Sequence, residues 1–363
     1  MIPIARPIIE EDEIHAVNEV MRSGVIAEGS RVAEFENKYS KYIGVNHAIA
    51  VNSGTAALQI ALQAAGIGKG DEVITSSFSF IATANSILYT DARPVFADIS
   101  PDTFNIDPDE IQTKITPRTK ALLPVHLYGH PAEMKTIMEI AEDKKLDVIE
   151  DACQAHGAME HGRHAGSFGI GTFSFYPTKN MTTSEGGMIT THDMEIDTVG
   201  RMIRSHGSKQ RYHHEMLGYN FRMTDISAAI GLVQLKKLDD FNQKRIENAG
   251  YLSAGLKGLP GIDTPQIRSG CTHVFHQYTI RVTDDCRYER DRLVTLLGKH
   301  GIGTGIYYPI PIHKQPFYTR LGYTDSLKNT DIVSREVISL PVHPSVSREE
   351  LDHIITTMGE LTG

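Results

Sequence analysis

The chain has 363 residues, with 36 Lys+Arg against 45 Asp+Glu and a formal net charge of −9. Hydrophobic residues at 40% and charged residues at 22% describe an ordinary globular protein with ample chain for a large core and about two or three domains. The acidic balance argues against a nucleic-acid groove, which needs clustered Lys and Arg, but leaves room for a local basic pocket.

The N-terminal run MIPIARPIIEEDE places prolines and then acids where a secretion signal needs a basic start and an apolar stretch. Helical spacing near 10–22 and 31–42 suggests an arm outside the main sheet. Short apolar runs then alternate with helical patterns. The runs are HAIAV (47–51), DEVITS (71–76), RPVFAD (93–98), KALLPV (120–125) and LDVIED (146–151). Helical spacing covers 54–65, 80–89, 108–114 and 132–144 between them. Strands separated by helices require crossovers, and right-handed crossovers build a mostly parallel sheet with helices on both faces, an α/β fold.

Two β-rich runs, FSFY (173–176) and GGMITTH (186–192), flank a polar loop, and helices are expected over 224–238 and 239–256. The last hundred or so residues alternate differently, with strands at 275–282 and 338–343 and a helix over 288–300. The expected division is an arm plus large α/β domain over 1–245 and a small C-terminal α+β domain over 246–363. Residues 73–90 are uncharged but broken by Ser, Thr and Asn, too polar for a membrane span. Cys153, Cys271 and Cys286 form no CxxC pair, which excludes a disulfide scaffold and a cysteine zinc finger and suits a reducing cytoplasm.

Open α/β sheets bind ligands beyond the carboxyl ends of their strands. At the first such end, VNSGTAAL (51–58) runs from a strand through Ser53-Gly54-Thr55 into a helix. Free N–H groups and a hydroxyl there suit a phosphate, although Ser and Thr also cap helices that bind nothing. A superficially phosphate-loop-like GIGKGD (66–71) lacks GxxxxGK[ST] and is a turn. In LDVIEDACQAHG (146–157), Asp151 ends an apolar strand and faces the crevice; it is either a helix cap or the partner of a buried cation such as a protonated ring nitrogen. In FSFYPTKNMTTSEGG (173–187), Lys179 sits among hydroxyls in a turn-rich loop. Most lysines are simply solvated, but one whose pKa is lowered becomes a Schiff-base nucleophile. A phosphate cradle, an acid for a pyridinium nitrogen and such a lysine are the parts a pyridoxal phosphate (PLP) enzyme must supply.

SGTAAL (53–58), FIATAN (80–85), EDACQAHGA (150–158), FSFYPTKNMTTSEGGM (173–188) and GYNFRMTDISAAIGLVQL (218–235) closely resemble the DegT-type sugar-nucleotide aminotransferases, over essentially the whole chain. The resemblance implies a fold type I, aspartate-aminotransferase-like homodimer with active sites at the subunit interface. By position it makes Lys179 the Schiff-base lysine and Asp151 the partner of the pyridinium nitrogen, with Gln154 at the cofactor's ring hydroxyl. It places Gly54, Thr55, Ala56 and Ser174 at the phosphate, with Asn220 completing that site from the neighbouring subunit. Phe80 stands where the family stacks an aromatic ring on the cofactor, and Tyr308 and His313, in YYPIPIHKQPFY (307–318), are candidates to line the sugar pocket. Ser184 departs from the family's usual TTGEGG run. A histidine in place of the lysine marks the family's dehydratases, so Lys179 favours transamination.

The implied reaction moves an amino group from an amino acid, glutamate by family analogy, to a nucleoside diphosphate keto sugar, with a 4-keto group favoured over a 3-keto group. Two alternatives compete: a PLP-dependent desulfurase or lyase using Cys271, and a regulatory or scaffolding protein that keeps the fold without chemistry. Tyr212-His213-His214-Glu215 offers adjacent histidines with no further ligands, so no metal site is expected.

Overall fold

The computed structural model describes residues 1–363. Its central sheet has seven strands: β1 His47–Val51, β2 Glu72–Ser76, β3 Arg93–Ala97, β4 Thr119–Leu123, β5 Asp147–Asp151, β6 Ile170–Ser174 and β7 Gly187–Thr191. Their order is β1-β7-β6-β5-β4-β2-β3, and only the pairings to β7 are antiparallel. The five apolar runs of the first half therefore fall on strands, and their crossovers make the sheet mostly parallel as expected. Helices α3 Gly54–Ala64, α4 Ala82–Leu88, α5 Pro108–Lys114 and α6 Met134–Lys144 supply those crossovers, and α7 Met194–Arg204 follows β7.

The run FSFY ends earlier than its residues suggest, because β6 stops at Ser174 and Pro177, with no N–H to donate, opens the following loop. Helices α1 Glu11–Ser23 and α2 Ser30–Ile43 lie outside the sheet, but α2 is not peripheral. Its Phe35 and Tyr39 are fully buried against Phe173 and Phe175; burial of Phe35 contributes about 1.5–3 kcal/mol, while Tyr39 also buries a hydroxyl that has no hydrogen-bond partner. The carboxylate of Asp225 accepts N–H groups of Gly29 and Val32, both at 2.9 Å, and so caps α2 from outside its own sequence.

The expected pair of helices at 224–238 and 239–256 is one helix, α8 Asp225–Leu256. No Gly or Pro interrupts the junction, Leu238 is buried, and Asp239 accepts a hydrogen bond from the Tyr42 hydroxyl at 2.7 Å. A second body of core collects Ala249, Leu252 and Leu256 with residues of the last hundred, including Ile280, Leu340 and Ile354. It surrounds a three-stranded antiparallel sheet of β8 Ile262–Asp263, β9 Tyr278–Val282 and β10 Val337–Leu340. Around it stand α9 Arg290–Lys299, α11 Lys328–Glu336 and α12 Arg348–Thr362, whereas α10 Pro316–Arg320 packs its Tyr318 on Ala84 of α4 and Phe96 of β3. Ile2 joins this core and bridges to Ile302, so the first residues reach across to the C-terminal body. No helix is long and apolar enough to cross a membrane.

Candidate active site

The carboxyl ends of β1, β5 and β6, with the start of antiparallel β7, meet at one cavity of about 450 Å³. Its walls include Gly54, Thr55, Phe80, Asp151, Gln154, Ser174, Lys179 and Tyr308.

Strand alternation sorts the two acids at the end of β5. Glu150 turns away from the cavity. It accepts the N–H groups of Gly166, Phe168 and Gly169 at 2.8, 2.7 and 2.8 Å and pairs with His126 Nε2 at 3.0 Å. The Ala132 N–H donates to His126 Nδ1 at 3.0 Å, which assigns the imidazole proton to Nε2. Asp151, only 5% exposed, faces the cavity. Its Oδ1 accepts the Cys153 N–H at 3.2 Å and its Oδ2 accepts the Thr83 hydroxyl at 2.7 Å. Each oxygen keeps lone-pair capacity for a further donor.

At the end of β1, Ser53 caps α3 by accepting the Ala56 N–H at 3.1 Å. That bond uses the Ala56 donor, and Ala56 does not line the cavity, whereas Gly54 and Thr55 present theirs in the unpaired first turn. Gly54 is required by close approach: a Cβ there would lie 2.6 Å from the Ser174 Cβ. Ser174 is thereby held against the start of α3.

Lys179 is partly buried on the loop after β6, with its backbone N–H tied to the Tyr176 carbonyl at 2.9 Å. Burial pushes its ammonium below the ordinary 10.5, and the nearby Cys153 and Asp151 offset part of that shift. Gln154 is 6% exposed and doubly held: Oε1 accepts the Tyr128 N–H at 2.8 Å, and Nε2 donates to the Tyr308 hydroxyl at 3.2 Å. Burial, with Asp151 nearby, pushes the Tyr308 phenol far up, so it stays neutral. Phe80 is 54% exposed, with its ring 6.1 Å from that of Tyr308, and is a cavity wall rather than a core residue.

Besides Ala56, two predicted residues are not brought here. His313 is buried behind the wall, with Nδ1 2.6 Å from Ser77 Oγ and Nε2 3.8 Å from Asp331. Asn220 is exposed and lies outside the cavity of its own chain. Cys271 sits beside Arg268, with Nη2 at 3.2 Å from its sulfur, away from the cavity. Other lining residues are given no role by sequence reasoning: Thr83 and Ser79 below Asp151, Cys153, Glu185, and His276, Gln277 and Tyr307 from the C-terminal body.

The donor set fits PLP: unpaired N–H groups and a hydroxyl for a phosphate, a buried carboxylate with spare lone pairs for a ring N–H, an exposed aromatic face, and a lysine of lowered pKa.

Comparison with known proteins agrees. Residues 7–359 match the model of the DegT/DnrJ/EryC1/StrS aminotransferase family. The chain is 42% identical to a pleiotropic regulatory protein of Geobacillus stearothermophilus, over 97% of this chain and 95% of the relative. It is 39% identical to the UDP-N-acetyl-3-dehydro-alpha-D-glucosamine 3-aminotransferase of Acidithiobacillus ferrooxidans, over 96% and 94%. The solved structure of DesV of S. venezuelae, in complex with a ketimine intermediate, superposes with a TM-score of 0.93 at 39% identity, over 96% and 94% of the two chains. The chain belongs to the DegT/DnrJ/EryC1/StrS aminotransferase family, PLP-dependent enzymes of fold type I.

Proposed function

We propose that this family member moves an amino group from glutamate to the ketone of a nucleoside diphosphate sugar, C4 before C3, for amino-sugar and glycan biosynthesis in the cytoplasm. The observation that carries the reading is the convergence of Lys179 and Asp151 on the cavity that opens at the first turn of α3. A relative at 39% identity whose printed name is a nucleotide-sugar 3-aminotransferase supports the substrate class and keeps C3 as the competing position.

When bound, the cofactor supplies the electron sink that lets the α-proton of an amino acid leave. The chain supplies the rest. The backbone N–H groups of Gly54 and Thr55 and the Ser174 hydroxyl would hold the phosphate, with Ala56 behind them in the same turn and the partner subunit's Asn220 completing the site in a homodimer. Asp151 holds the proton on the ring nitrogen, Gln154 Nε2 donates to the ring oxygen, and Phe80 covers one face. Lys179 would anchor the cofactor through Nζ and, displaced by the donor's amino group, would as a free amine accept the donor's α-proton and pass it on, so that the donor leaves as its 2-keto acid with water supplying the keto oxygen. The keto sugar then receives the amino group as the same residues act in reverse, with Tyr308 at its edge of the cavity. In this reading residues 1–245 are the arm and PLP-binding domain, and 246–363 are the small domain that closes the cavity's far wall.

The test is an assay of purified protein and glutamate against 3-keto and 4-keto sugars carrying UDP, dTDP or GDP. An amino sugar should form from one ketone position, with a visible absorption band that shifts when glutamate is added. Protein that stays colourless with added PLP would instead favour a regulatory role, such as the name of the Geobacillus relative describes. Steady-state transamination surviving in Lys179→Ala would also sink the reading.

A further inference from the structure

At the cavity wall, a chain of buried hydroxyls runs away from Asp151. The Thr83 hydroxyl donates to Asp151 Oδ2 at 2.7 Å, so its only proton is committed to the carboxylate. The Ser79 hydroxyl lies 2.8 Å from Thr83 Oγ1 and must therefore be the donor in that contact. Thr83 is 0% exposed, Ser79 3% and Asp151 5%, so water does not compete for these bonds. Inside a protein such a bond to a charged acceptor is strengthened, and the Ser79 donation polarises the Thr83 hydroxyl further.

Both residues sit on the segment that enters α4, and this segment also carries Phe80. The Ser86 hydroxyl donates to the Thr83 carbonyl at 2.8 Å and fixes the first turn. One rigid stretch thus presents an aromatic face to the cavity at Phe80 and a hydroxyl to the carboxylate at Thr83. The Cys153 N–H holds the other oxygen of Asp151 at 3.2 Å, so the carboxylate plane is set from two sides.

We propose that Thr83, backed by Ser79, is a positioning residue that holds the Asp151 carboxylate oriented toward the cofactor's ring nitrogen. The proposal rests on the reading of Asp151 as the ring-nitrogen partner. Its consequence is geometric: without the Thr83 donor the carboxylate is held from one side only, by the Cys153 N–H, so its contact to the ring nitrogen loosens and the nitrogen loses its proton more readily. The effect reaches the reaction through Asp151 and not through contact with substrate.

The test compares Thr83→Val, which keeps the shape and removes the hydroxyl, with Thr83→Ser, which keeps the hydroxyl. Each holoenzyme is loaded with PLP labelled with 15N in the ring, and the ring-nitrogen shift is followed by NMR across pH. In the unsubstituted protein the nitrogen should stay protonated through neutral pH and above. In Thr83→Val its deprotonation should move down by about one pH unit or more, with kcat falling about 10- to 100-fold, while KM for the sugar stays within about twofold. Thr83→Ser should restore both. Melting curves separate loss of fold from loss of positioning. A Thr83→Val protein with unchanged nitrogen titration overturns the proposal, as does a Thr83→Ser protein as impaired as the valine variant. A ring nitrogen that is unprotonated in the unsubstituted protein would instead remove the role given to Asp151.

Discussion

Gln154 accepts the backbone N–H of Tyr128 through its side-chain carbonyl at 2.8 Å, and this contact decides what the residue can do in the cavity. With Oε1 engaged, Nε2 is the atom left facing Tyr308 and the cavity, at 3.2 Å from that hydroxyl. Gln154 is therefore a donor toward any ligand, which suits an anionic ring oxygen and not a second donor.

Gln154→Glu keeps an acceptor for Tyr128 but places a carboxylate oxygen where the cavity needs a donor. Loss of a hydrogen bond to a charged group, with repulsion added, is worth about 1.5–3 kcal/mol. Affinity for PLP should fall about 10- to 100-fold with little change in melting temperature of the apo protein. Titration of the apo variant with cofactor, followed by absorbance, measures this, and an unchanged Kd would refute the assigned polarity.

The pH dependence of the donor half-reaction follows from Lys179. Burial pushes its ammonium below 10.5, with Cys153 and Asp151 opposing in part. A lowered pKa puts more of the amine in the free, proton-accepting form at a given pH. The rate of reaction with glutamate should therefore rise with pH and level off below 10.5. A rate that still climbs through that value in stopped-flow measurements would mean the amine is not perturbed.

Strand ends were the legible part of this molecule, because apolar runs, turn residues and crossovers are local signals and the crevice rule then points to Asp151 and the turn at Gly54. Lys179 was legible only in combination, since nothing in its own loop marks its burial. His313 looked equivalent to Tyr308 in one proline-rich run. They part company because Ser77, distant in sequence, captures the imidazole at 2.6 Å. Thr83, His276 and Gln277 were invisible for the same reason: ordinary residues reach the cavity only once β5 is aligned with α4 and the C-terminal body is docked. The unbroken α8 was missed because a polar pair after Leu238 resembles an end, yet Asp239 is held by Tyr42.

Ser184, where the family usually has glycine, sits at φ 72, in the left-handed region that costs a residue with a Cβ about 1–2 kcal/mol. Part of that is returned by the stiffer unfolded chain, so Ser184→Gly should stabilise by about 0.5–1 kcal/mol. For a chain of this size the melting temperature should rise by about 1–3 °C. Because Ser184 is exposed and outside the cavity lining, kcat should stay within about twofold. A lower melting temperature would show that the Ser184 side chain makes a stabilising contact that outweighs its backbone strain.

Acid sensitivity should trace to His156. Neither ring nitrogen makes a full hydrogen bond, the Ser174 carbonyl offering only a weak contact, and the imidazole packs on Phe173 and Phe175, with centroids at 5.4 and 5.6 Å. Burial first, then the nearby Lys179, pushes its pKa down from 6.5 to about 3. The folded pKa lies below the unfolded one, so between these values the unfolded chain binds the extra proton. The stability this residue leaves intact above pH 6.5 is lost as pH falls, by up to about 1.4 kcal/mol per unit, and the loss ends near pH 3. His156→Leu removes that proton site and breaks no full hydrogen bond. Its denaturation midpoint in urea should fall less than that of the unsubstituted protein between pH 6.5 and 5, by an amount equivalent to about 2 kcal/mol at most. Buried carboxylates and His130, itself pushed down to about 4 by burial, titrate in both proteins and cancel in the comparison. Parallel pH profiles for the two would show that His156 finds a proton acceptor on acidification and does not drive the loss.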